Sequence, residues 1–174
     1  MGNFSAYIKL NLFGPWLGES RKIAELPKDI RNSAIRGQRK AAERLVRVVR
    51  NHLIYQDLKE WPELAPSTIR KKQGDSRILI DTEQYLNNIK AWRDNHIYYV
   101  GVKRGVTNEN GIEVARVAAI HEFKSEVTRG APRRPLWEPS INGMGGKEGI
   151  RDIVRETIAL GLMGKGWKIT KFKF

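Results

Sequence analysis

From Pro27 to about Leu53, apolar residues recur at three- and four-residue steps: Ile30, Ala34, Ala41, Leu45, Val48 and Val49. That spacing predicts one long amphipathic helix, and its single apolar face demands a second layer to cover it. Pro27 sits where a first helical turn tolerates proline, and Asp29 suits the positive helix start. Arg36, Arg39, Arg47 and Arg50 lie roughly opposite the apolar face, with Lys40 and Arg44 on the flank. Between Arg21 and Arg50 there are ten basic and three acidic residues, which supply about half of the net charge of +13. Two readings of this face stand side by side. It is a solvated helix surface, or it meets an acidic neighbour or DNA, since i,i+4 carboxylates that would neutralise it are mostly missing.

The remaining segments predict what packs beneath the helix. Phe4, Ala6, Ile8, Leu10 and Leu12 alternate with polar residues and predict a half-buried strand closed by Gly14-Pro15. Trp16 to Glu25 reads as a connector. After Trp61-Pro62 breaks the long helix, Ser67 is the expected N-cap of a short helix through Lys72, ended by Gly74. Asp81-Thr82 is the expected cap of another, through Ile89. Ile89 to Trp92 and Ile97 to Val102 flank Arg93-Asp94-Asn95 as a β-hairpin. A polar loop from Arg104 to Gly111 precedes a short helix carrying Val114, Val117, Ala118 and His121. Gly143 to Gly149 reads as flexible, and Lys147 to Gly161 as a second amphipathic helix stopped by Gly164 and Gly166. Trp167 to Phe174 has strand composition, with a change of phase between Ile169 and Phe172. The sum is a single α+β domain over residues 1–174, with a small, mostly antiparallel sheet packed against two main helices.

Composition narrows the function. With 174 residues the chain is long enough for one domain with a real core. It has no cysteine, which removes disulfide frameworks and thiolate metal sites. No apolar run approaches the roughly 20 residues of a membrane span, and the alternating N-terminus does not resemble a secretory leader. A soluble intracellular protein without membrane contact is therefore expected. The three histidines lie far apart with no second ligand at metal spacing, and no phosphate-binding glycine loop or nucleophile elbow occurs. No cofactor, metal or catalytic residue is expected from these patterns. One enzymatic alternative is a metal-dependent nuclease, using Glu122 and Lys124 as E-x-K with Asp81 or Asp94 as a second carboxylate. That motif needs a central strand, whereas the segment here reads as helix or loop.

The stretch from Ile120 to Pro139, IHEFKSEVTRGAPRRPLWEP, is the most unusual. Two prolines flank Arg133 and Arg134, fixing the backbone in an extended form and removing ladder donors. It reads as a rigid strap that carries arginines and Trp137 to a defined place, a task that suits assembly better than catalysis.

This strap closes an ordered series of motifs: W-P-x-L-A-P-S-T-I-x-K-K over Trp61–Lys72, I-L-I-D-T over Ile78–Thr82, the Tyr98–Val102 strand, a helix ending H-E-F, and A-P-R-R-P-L. Over about residues 61–137 the series resembles bacteriophage tail-completion proteins, also called tail terminators, head–tail joining or virion morphogenesis proteins. The chain departs from their pattern at Glu83, Lys124, Arg133 and Leu136. The resemblance implies a non-enzymatic virion protein of the phage neck. It would form a ring, commonly hexameric, that ends the tail tube and docks on the head connector or stopper. Its partners would be further copies of itself, the tail tube protein and the connector, with non-specific contact to passing DNA as an alternative for the basic face. Arg134 matches the family's arginine, which implies a bidentate contact fixing subunit orientation. The interface would draw on His121, Phe123, Arg133, Arg134, Pro135 and Trp137. The competing reading has Arg134 pinning its own loop onto Glu122 or Glu126, and Trp61 and Trp137 anchoring the core. A basic nucleic-acid-binding protein is the other functional class the chain fits.

Overall fold

The computed structural model describes residues 7–10 (backbone only), 28–95, 97–123 and 132–164. Most of the expected N-terminal strand, the connector, and the strand expected at Trp167–Phe174 lie outside these residues, as do Lys124 and Glu126. The chain runs β1 (Tyr7–Leu10), α1 (Lys28–Tyr55), α2 (Pro66–Lys71), α3 (Gln84–Asn88), β2 (Ile89–Asp94), β3 (Ile97–Val102), α4 (Val114–Phe123), α5 (Trp137–Gly143) and α6 (Gly146–Met163). The expected α+β class holds: three antiparallel strands in the order β1-β3-β2, with the two long helices α1 and α6 packed together and α1 also on the sheet.

The register explains which face of the hairpin is buried. Ile89 pairs with Val102 and Ala91 with Val100, which places these side chains on one face; Ile89, Val100 and Val102 are fully buried. They meet Ala41, Ala42, Leu45, Val49 and Leu53 of α1 in one hydrophobic cluster. On the opposite face Trp92 stacks on its cross-strand partner Tyr99 with centroids 5.7 Å apart. Burying a leucine or isoleucine of this cluster contributes about 1.5–3 kcal/mol each.

Helices α1 and α6 approach closely because small residues line their seam. Ser33, Gly37 and Ala41, four residues apart, are all buried on one side of α1. A Cβ on Gly37 would lie 2.9 Å from the Val154 Cα, and one on Gly161 would run into Ser33. Ile150, Ile153, Val154 and Leu162 are the buried stripe of α6.

Four local expectations are corrected. The α2 helix starts on Pro66, not after a Ser67 cap. Proline has no N–H to satisfy there, and Ala65 holds the cap position without a side-chain bond. Asp81-Thr82 does not cap α3 either, because Glu83, at φ +59°, occupies that position. The hairpin strand β2 runs on to Asp94, and Asn95 turns at φ +52°. Finally, the stretch read as flexible, Gly143 to Gly149, is a tight corner between α5 and α6. Met144 is buried there, and the space at Gly149 is filled by the Met144 carbonyl.

Candidate functional site

The strap and the first motif of the series lock onto each other. The Trp61 indole Nε1 donates to the Pro135 carbonyl at 2.8 Å. In return the Arg134 guanidinium donates to the Pro62 carbonyl from Nε and Nη2, at 3.1 and 2.9 Å, and to the Glu63 carbonyl at 3.2 Å. Prolines interrupt regular pairing in both segments, so side chains supply the partners that a strand ladder would otherwise provide. Arg134 is only 6% exposed, and burial pushes its pKa down from the usual arginine value. It does pin its own loop, onto the carbonyls of Pro62 and Glu63 and not onto the Glu122 carboxylate; Glu126 lies outside the described residues.

Glu122 fastens the other end of the clasp. It is 5% exposed, and its Oε2 accepts from the backbone N–H of Leu136 (2.7 Å) and Trp137 (3.1 Å), while Oε1 accepts from Glu138 N–H (3.2 Å). These are the free N–H groups at the start of α5, which has no cap from its own N-cap residue Leu136. A carboxylate at a helix start also meets the positive end of the backbone dipole. The Glu122 carbonyl receives the Arg133 Nε at 2.8 Å, and the His121 carbonyl receives Arg134 N–H at 2.8 Å. Tyr85 lies buried nearby. Burial raises the pKa of its hydroxyl far above the usual value, and the Glu122 charge adds to that shift.

His121 is half-buried, and its Nδ1 has no hydrogen-bond partner among the described residues. Burial pushes its pKa below the usual histidine value, the Arg134 charge pushes the same way, and a hydrogen bond with the Pro132 backbone opposes both. The neutral imidazole is therefore the form the clasp accommodates.

The six residues expected at an interface thus divide. Arg134 and Trp137 are buried within their own chain, His121 and Pro135 are half-buried, and Phe123 and Arg133 face outward. Phe123 is 67% exposed at the end of α4. Arg133 pairs with Glu138 at 3.2 Å on the surface. Beside them an open cleft of about 490 Å³ runs between the Asp57–Trp61 segment and Pro135, Glu138 and Pro139.

The basic residues divide as well. Arg36, Arg39, Lys40, Arg44 and Arg47 are exposed on α1. Arg50 is half-buried and donates to the Leu86 carbonyl at 3.2 Å, so it belongs to the packing between α1 and α3 and not to the outer face. Glu122, a ligand in the nuclease alternative, has both carboxylate oxygens engaged by backbone N–H groups. No group of three or more metal-ligating side chains occurs among the described residues. The capping role of Glu122 is not readable from the sequence, since the helix it caps begins fifteen residues later, at Trp137, and is itself not expected from the sequence.

Compared with known families, curated proteins and solved structures, the chain matches no family model, no curated protein and no solved structure.

Proposed function

We propose that this protein is a structural component of the phage neck, a tail-completion protein that closes into a ring of about six copies and joins the tail to the head connector. The observation that carries this reading is the clasp. The first and last pieces of the ordered motif series, Trp61–Pro66 and Pro132–Leu136, are hydrogen-bonded to each other through Trp61 and Arg134. Their unusual residues therefore serve one rigid unit, and that unit carries an exposed arginine, Arg133, bonded to the Glu122 carbonyl, and an exposed aromatic, Phe123, next in the chain after Glu122. Aromatic residues and arginine are both enriched in protein–protein interfaces.

In this reading Phe123 and Arg133 contact the neighbouring copy, in a heterologous interface that closes by rotation. Arg134 acts one step back by holding the strap that positions Arg133. Negative-stain images of the purified full chain test the proposal. Closed rings of uniform diameter are the expected result. A monodisperse monomer at the highest soluble concentration, both alone and mixed with tail-tube protein, would overturn it.

A further inference from the structure

The outer face of α1 combines three features that together define a ligand class. The helix carries eight Lys and Arg residues against two Asp and Glu. Its exposed positions between Asn32 and Asn51 are Arg36, Arg39, Lys40, Glu43, Arg44 and Arg47, with no apolar or aromatic residue among them. Local carboxylates leave much of this charge uncompensated. Arg39 pairs with Glu43 at 2.7 Å and Lys40 reaches Glu156 at 3.7 Å, but Arg44 and Arg47 have no carboxylate within ion-pair distance among the described residues. The neighbouring α6 neutralises itself, with Arg151 paired to Glu148 and Arg155 to Asp152.

We propose that this face binds the phosphate backbone of double-stranded DNA without reading its sequence. A protein partner is disfavoured because the exposed stretch from Arg36 to Arg47 offers no apolar anchor, the exposed Ile54 and Tyr55 lying two turns further on at the end of α1; protein interfaces take most of their energy from such anchors. Single strands are disfavoured because no exposed position of α1 from Arg36 to Arg47 carries an aromatic ring for bases to stack on. What remains is a rigid row of cations, mostly guanidinium groups suited to bidentate phosphate contact. Arg36, Lys40, Arg44 and Arg47 follow each other at steps of four, four and three residues, so their Cβ atoms are about 5–6 Å apart. The row is about 16 Å long at 1.5 Å per residue, which matches about five base pairs at 3.4 Å each. The contact needs no ring, so it stands or falls independently of the neck assignment.

The test is fluorescence anisotropy of the full chain on a labelled duplex of arbitrary sequence, across a salt series. Binding at low salt is expected, with a log–log slope near −3 to −4 for about four neutralised phosphates. The triple variant Lys40→Gln/Arg44→Gln/Arg47→Gln should bind at least about tenfold more weakly at low salt, with a slope shallower by two to three. Its melting temperature should stay close to that of the unaltered protein, since all three side chains are exposed. A control that removes the same charge elsewhere, Lys71→Gln/Lys90→Gln/Lys147→Gln, should retain most of the affinity. Equal weakening by both triples would overturn the proposal, because net charge alone would then account for binding. So would tighter binding to a single strand than to the duplex. Equally tight binding of poly-glutamate would also overturn it and assign the face to an acidic protein.

Discussion

At the scale of single residues, Glu122 and His121 show how neighbours in sequence take different roles in one clasp. Glu122 accepts from three backbone N–H groups, so Glu122→Ala leaves those donors without their partner in a buried position. Each such donor costs about 1–3 kcal/mol, and the substitution should lower stability by at least about 2 kcal/mol. The urea midpoint measures it, and an unchanged midpoint would show that solvent reaches the start of α5. His121 has its folded pKa below the unfolded value, so the unfolded chain binds the extra proton as pH falls. Its contribution to stability is full above the unfolded pKa, about 6.5, and is lost as pH falls from there through the folded pKa. Melting temperatures taken from pH 7.5 downward should therefore fall more steeply for the unaltered protein than for His121→Gln. Parallel curves would contradict the assignment. In the sequence both residues were visible, but not their roles. The E-x-K spacing of Glu122 and Lys124 suits a metal site as well as a cap, and only the position of α5 separates the two.

Among elements, the α1–α6 seam rests on glycine. Gly37→Val would press a branched side chain against the Val154 backbone 2.9 Å away, and overpacking of this kind costs about 1–3 kcal/mol. At Gly143 nothing lies within 4 Å of a new Cβ, so Gly143→Ala should be neutral or stabilise by up to about 1 kcal/mol. Thermal melts of the two variants should move apart, and a shared direction would mean that the helices can separate at no cost. The elements legible in advance were those with a periodic signal of their own: α1, α4, α6 and the β2–β3 hairpin. Helix α5 was missed for a physical reason. Pro139 reads as a breaker, yet it falls in the first turn, where its missing N–H costs nothing. The cap of α5 comes from α4, a distant element that no local window includes. The close corner at Met144–Gly149 was likewise hidden, since glycine-rich sequence fits both a loose linker and a tight approach.

For the molecule as a whole, the clasp joins the segment after α1 to the strap before α5, so the first and last pieces of the motif series form one packing unit. Arg134, which the resemblance placed at the interface, fastens the unit from inside, while Phe123 stands outside it. In the proposed ring, Arg134 would serve folding and Phe123 assembly. The most direct test is the solution mass of Phe123→Asp beside the unaltered protein at equal concentration. A ring is expected for the unaltered chain and a monomer for the variant, with the same melting behaviour once each is dissociated. The same assembled mass for both proteins would contradict it.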